Sequence, residues 1–279
     1  MSEEKLTAVL DRLAGDHATA VWLATLESIM SAGVTVCPRG KRTLELPQRT
    51  TVVDMNHPLV LSPARRLSYR FAAAEALWIV AGDNHVEPLA KYAPRMREFS
   101  DDGVTLAGAY GPRIHDQFEY VVNALLRDRD TRQAVLTIWK PCPAPSKDIP
   151  CTVAMDFKIR DGRLNCHVFM RSSDAWLGLP YDTFSFSMVA ARIACTYNQL
   201  IGIDGQEVTL GKLHLTAASS HLYAENFDGA EACVAEDVAP RGRPVPSGPI
   251  LRGAWEEIER HLVTLRDAPG LVNLWEPLP

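Results

Sequence analysis

The chain has 279 residues, 47% hydrophobic and 23% charged, with a formal net charge of −5. That length allows one large core, and the acidic balance argues against a general nucleic-acid binder, which would carry a basic stripe. No apolar run reaches membrane-spanning length, and the start MSEEKLTAVLDRLAG lacks the shape of a signal peptide. The cysteines at 37, 142, 151, 166, 195 and 233 show no CxxC spacing. Zinc and a disulfide framework are therefore not expected, and the chain is expected to be soluble, reduced and cytoplasmic, without a metal.

In chain order, apolar residues at helical spacing predict one or two helices from Leu6 to about Met30. Pro38 to Arg49, rich in Arg, Gly and Pro, predicts a loop leading into short strands. Arg65 to Ala81 predicts an apolar helix with Gly82 as its cap, and Arg113 to Arg127 an amphipathic one. Strand-like runs follow at Ala134–Trp139, Val153–Ile159 and Leu164–Met170, the last two joined through Asp161-Gly162 as a hairpin. Thr183 to Ile201 predicts a long helix needing cover on most sides, and Glu207 to Leu215 a further strand. Pro240 to Pro249 is a Pro/Gly-rich connection, and Leu251 to Arg266 a final amphipathic helix. This order, without internal repeat or βαβ alternation, predicts an α+β fold. We expect a single domain over residues 1–279, with a mixed β-sheet covered by helices.

Two residues stand out chemically. Cys151 follows Pro150 at the start of a predicted strand, and a thiolate is a strong nucleophile where a nearby cation lowers its pKa. Cys166, Cys195 and Cys233 lie in runs where a buried, structural role is expected. Glu75 sits in Phe71-Ala-Ala-Ala-Glu-Ala-Leu-Trp-Ile-Val80, with Phe71, Ala72, Trp78 and Ile79 three and four residues away. A solvated face is not expected there. Burial would raise the pKa of Glu75 and suit it to moving protons near neutral pH.

These residues belong to a larger pattern. Pro150-Cys151, Arg171-Ser172-Ser173-Asp174 and Leu177-Gly178-Leu179-Pro180-Tyr181-Asp182 together resemble the active-site core of the thymidylate synthases. Glu75-Ala-Leu-Trp-Ile-Val-Ala-Gly82 resembles that family's Glu-Leu-Leu-Trp-Phe-Leu-x-Gly helix, and Ser219-Ser-His-Leu-Tyr223 its Asp-x-His-x-Tyr segment. The resemblance covers roughly residues 35 to 230. It implies a homodimer formed through the sheet, a pyrimidine nucleoside monophosphate substrate and 5,10-methylenetetrahydrofolate as co-substrate. It implies Cys151 as nucleophile at C6 and Glu75 as proton relay through water. Arg39, Arg171 and Ser172 would hold the phosphate, with Arg132 reaching in from the partner. His221 and Tyr223 would hold the sugar hydroxyl. Tyr110, Asp174 and Gly178 would line the nucleotide and folate pocket, and Arg65, Arg66 and Trp78 the folate side.

The chain also departs from that pattern. The family's Pro-Cys-His is Pro150-Cys151-Thr152 here, and its Ser-Arg-Arg is Thr131-Arg132-Gln133. Where the family has an asparagine that matches uracil, this chain has Asp182. An ionised carboxylate accepts from the 4-amino group of cytosine and can pair with a protonated N3, whereas it opposes O4 of uracil. A protonated Asp182 could instead donate to O4 and tolerate uracil. Asp182 resembles the cytidylate 5-hydroxymethylase branch, in which water rather than hydride captures the exocyclic methylene. Pro94-Arg-Met-Arg-Glu-Phe99 in place of a Trp-rich segment, and the end Leu274-Trp-Glu-Pro-Leu-Pro279, also point towards water. The alternatives are a C5-methylase of dCMP or dUMP and a non-catalytic nucleotide- or RNA-binding paralogue. Ser172 favours a deoxyribonucleotide, and Gln133 the ribonucleotide.

Overall fold

Among the described residues of the computed structural model (17–202, 206–235 and 255–267), seven strands form one mixed sheet. They are β1 (Val34–Val36), β2 (Thr43–Asp54), β3 (Val135–Thr137), β4 (Thr152–Arg160), β5 (Arg163–Met170), β6 (Ser173–Asp174) and β7 (Thr209–Tyr223). The path across the sheet is β1-β2-β7-β5-β4-β3. The central strand β7 runs antiparallel to β2 but parallel to β5 and to the short β6, which also pairs with it. Besides a single helical turn at Glu87–Ala90, the helices are α1 (Ala18–Ala32), α2 (Tyr69–Val80), α3 (Tyr110–Arg127), α4 (Leu179–Ile201), α5 (Phe227–Ala235) and α6 (Trp255–Asp267). This is the expected α+β domain, with helices packed on one face of a mixed sheet.

Helix α4 is the spine of the core. Phe186, Val189, Ala190, Ile193, Ala194 and Tyr197 are all buried along it, so it is covered nearly all round. It packs against α2, α3 and the strands β5 and β7. The other sheet face carries residues that remain partly open: Val52, Val153 and Phe169 are exposed, and the rings of His167 and His214 stack at 4.5 Å. No helix among the described residues is long and apolar enough to cross a membrane.

The hairpin at Asp161-Gly162 forms as expected. Both residues have positive φ (51° and 70°), which a tight two-residue turn between twisted strands requires. Other boundaries differ. The loop expected over Pro38–Arg49 is only a short 3₁₀ turn at Pro38–Gly40, and from Thr43 the chain is strand. Pairing with β7 along its length overrides the Pro and Arg content, with Pro47 exposed and Gln48 kinked at φ 51°. The helix expected from Arg65 starts at Tyr69, because Ser68 caps it by accepting from the Phe71 amide, at 3.2 Å. Arg65 and Arg66 are left in the preceding turn. Helix α3 starts at Tyr110 rather than Arg113, and α4 at Leu179 rather than Thr183, with Pro180 in its first turn. The strand expected to end at Leu215 runs on to Tyr223. The expected helix start at Leu6, the connection Pro240–Pro249 and the end Leu274–Pro279 lie outside the described residues.

Candidate active site

The β4–β5 hairpin builds the centre of the site. Its tight turn sets the register, which pairs Thr152 with Met170 at the far end. Just beyond, the Arg171 amide donates to the Cys151 carbonyl at 2.9 Å. The Arg171 guanidinium is held over the same spot: Nε donates to the Pro150 carbonyl and Nη2 to the Ile149 carbonyl, both at 3.0 Å. From there Nη2 lies 3.7 Å from Cys151 Sγ, and the guanidinium stands 5.8 Å from the Trp139 ring centre. A cation thus faces the thiol, as the sequence requires. Burial nevertheless pushes the Cys151 thiol above its ordinary value, since exposed Arg171 only partly offsets burial and the nearby Asp182, Asp148 and Asp174 carboxyls. Cys151 rests as a thiol.

Strand β7 supplies the opposite wall. After β5 the chain breaks at Arg171-Ser172 and rejoins β7 as β6, pairing Ser173 with Ser220 and Asp174 with His221. This places the Ser172 hydroxyl 3.4 Å from Nδ1 of the buried His221, whose ring meets Tyr223 edge-on at 5.2 Å. Arg39 sits in the 3₁₀ turn at φ 52° and donates to the Tyr223 hydroxyl, at 3.4 Å. Together Arg39, Cys151, Arg171, Ser172, His221 and Tyr223 line one cleft of about 650 Å³.

A second group, not lining that cleft, is coupled to Cys151 electrostatically. Asp182 falls in the first turn of α4, and burial, with the Asp174 carboxylate next, pushes it up to about 7. Gly178 makes room for it: a Cβ there would come within 3.2 Å of Asp182 Oδ2. Burial and then Asp182 raise Glu75 to about 8, although the Ser185 hydroxyl donates to Glu75 Oε2 at 3.1 Å. Glu75 keeps some accessible surface, so it borders a space rather than being sealed in. The Tyr110 phenol is raised by burial, Asp182 and Cys151, and its ring stacks on Phe186 at 6.1 Å. Burial thus favours the protonated Asp182 that the sequence left open beside the ionised form.

The remaining candidates are placed differently. Asp174 Oδ1 accepts from the Trp176 and Leu177 amides at 2.8 and 3.0 Å, which folds the chain into Gly178. Arg65 turns onto the protein, 4.3 Å from the Trp176 ring centre, and donates to the Trp176 carbonyl at 2.9 Å. Arg66 is exposed at φ 50°, and Trp78 is buried with its indole N–H on the His85 carbonyl. Arg132 is exposed in the turn before β3 and does not line this chain's own cleft. The sequence reading missed Thr43, Glu45, Lys147, Asp148 and Ser219, which do line it. Thr43 and Glu45 alternate on β2, a signal hidden while that stretch was taken as loop. Cys166, Cys195 and Cys233 are buried, as expected.

The sequence model of the thymidylate synthase family matches residues 20–246. Two curated relatives are both called deoxyuridylate hydroxymethyltransferase. That of Bacillus phage SP01 is 29% identical over 247 residues, covering 80% of this chain and 61% of its own length. That of Pseudomonas phage M6 is 34% identical over 165 residues, covering 56% of this chain and 44% of its own length. The chain spans less than two thirds of either relative.

Proposed function

Because the chain belongs to the thymidylate synthase family, we propose that it hydroxymethylates C5 of a cytidine monophosphate, with 5,10-methylenetetrahydrofolate as one-carbon donor. The observation that carries this reading is Cys151 beside the Arg171 guanidinium, with the Asp182 carboxyl acting both on Cys151 and on Glu75. Hydroxymethylation is supported by the names of the two phage relatives.

Arg39, Arg171 and Ser172 would hold the phosphate, and His221 and Tyr223 would orient the sugar. Cys151 Sγ, losing its proton, bonds to C6 of the base and makes C5 nucleophilic. The folate supplies a methylene at the oxidation level of formaldehyde. Arg65 fits its anionic tail, since its buried Nε has no acceptor among the described residues. Glu75 would take the C5 proton, through water, once the methylene is attached. With that proton lost, the bond from the methylene to the folate nitrogen breaks and tetrahydrofolate leaves unoxidised, so an exocyclic methylene remains on C5. Water then adds to that carbon and loses a proton, and Cys151 is expelled from C6. The segment Pro94–Phe99 has no buried side chain, and Phe99 lines the cleft, so water has a route to the carbon.

Asp182 supports the cytosine reading in its protonated form. One oxygen then donates to N3 while the other accepts from the 4-amino group, and a proton on N3 draws charge from the adduct. A titrating group offers this with cytosine, whereas for uracil an uncharged amide would serve without titrating. The second reading is a uridylate substrate, with the acid accepting from N3–H and donating to O4; the names of the relatives favour it. The half-open sheet face around Phe169 supports the expected dimer, through which Arg132 would reach the partner's cleft.

The test is a product assay with dCMP, CMP, dUMP and UMP, each given methylenetetrahydrofolate and followed by mass spectrometry. Hydroxymethylated cytidylate without dihydrofolate is expected. Dihydrofolate as product would make the protein a methylase, hydroxymethylated uridylate alone would establish the second reading, and no product from any nucleotide would make it a binding paralogue.

A further inference from the structure

We infer that Glu45 reads the sugar and makes the cleft prefer a ribonucleotide to its 2′-deoxy counterpart. The inference rests on the nucleotide reading of the cleft and extends it to the sugar.

The β2–β7 register pairs Thr43 with Tyr223, Glu45 with His221 and Pro47 with Ser219. Alternation along both strands therefore puts Thr43, Glu45, Ser219, His221 and Tyr223 on one face, and all five line the cleft. Directly opposed residues have Cβ atoms about 5 Å apart, so Glu45 and His221 can grip neighbouring atoms of one ligand. The Ser219 hydroxyl donates to Glu45 Oε2 at 2.5 Å, which fixes the carboxylate's orientation. Glu45 makes no ion pair among the described residues, even though Arg39 and Lys147 line the same cleft.

An ionised carboxylate has about four acceptor sites and no donor. Ser219 uses one. What remains is a half-buried acceptor in a cleft whose ligand carries a phosphate, and it would repel that phosphate. It is useful only against a donor. Asp182 takes the base's amino group, so the donors left on a nucleotide are the sugar hydroxyls. With the 3′-hydroxyl on His221, the adjacent 2′-hydroxyl falls to the residue opposite His221, which is Glu45. A 2′-deoxy sugar would set a methylene against the carboxylate and leave it short of a partner. Sites built for a hydroxyl discriminate strongly against analogues lacking it; for this half-buried group we expect about 10- to 100-fold.

The experiment compares kcat/KM for CMP against dCMP and for UMP against dUMP in the wild type, Glu45→Gln and Glu45→Ala. Binding of the same four nucleotides is measured calorimetrically in Cys151→Ala, which removes turnover. The wild type should favour the ribonucleotide by about 10- to 100-fold. Glu45→Ala should bring that ratio close to one, with the ribonucleotide losing far more than the deoxyribonucleotide, and Glu45→Gln should fall between. Equal use of both sugars, or a ratio unmoved in both variants, would overturn the role of Glu45 and leave the nucleotide reading standing. Binding of none of the four would overturn both.

Discussion

The two ends of the site are built on opposite physical terms. Around Asp182, Glu75 and Tyr110 the ionisable groups are withdrawn from water and raised in pKa, which favours their protonated forms. Around Arg39 and Arg171 the side chains are exposed and charged. Cys151 sits at the boundary and feels both, pulled down by Arg171 and pushed up by burial and the carboxyls. On the proposed function, one end would capture an anion from water, where desolvation is cheap, and the other would move protons, which requires desolvation. A single environment could not do both.

The largest expected effect comes from breaking the boundary. Cys151→Ala should abolish turnover, by more than about 10⁴-fold, while calorimetry still finds nucleotide bound within a few-fold of wild type. Lost binding would mean that Cys151 is structural. At the buried end, Asp182→Asn should reverse or erase the base preference, read as the ratio of kcat/KM for cytidylate and uridylate; an unchanged ratio would remove Asp182 from base reading. Glu75→Gln should slow the rate by about 10²- to 10³-fold with little change in KM.

The raised carboxyls also set a pH dependence. With Glu75 as the base, the wild-type rate should climb as pH rises towards about 8, and that limb should vanish in Glu75→Gln. Stability should move the other way. Glu75 and Asp182 bind their protons more tightly folded than unfolded, so their contribution is fully present below the ordinary values of 4.5 and 3.8. It is lost as pH rises through about 7 and 8. Melting curves from pH 4 to 9 should show the wild type losing stability over that range more than Glu75→Gln does. The smallest effect belongs to the open end: Arg171→Lys should raise KM for nucleotide about tenfold by losing the bidentate grip, with kcat changed less. A kcat loss exceeding the KM change would assign Arg171 chiefly to the thiol.

Much of this was legible in the chain itself. Glu75 in an otherwise apolar helix announces a buried carboxyl, because no helical neighbour offers it water or charge. Cys151, Arg171, Asp182, His221 and Tyr223 are carried by ordered motifs, and the hairpin by Asp161-Gly162. Local composition determined these features: periodicity, turn chemistry and the cost of burying charge act over a few residues. The rest depended on which strands meet. Composition made Thr43–Arg49 a loop, and only pairing with β7 made it a strand whose alternation aims Glu45 beside His221. Likewise no local signal says that Asp182 neighbours Glu75 across two helices, or that its carboxyl adds to the burial that raises Glu75. Long-range register and mutual burial set those relations, and both exist only once the sheet and its helices have packed.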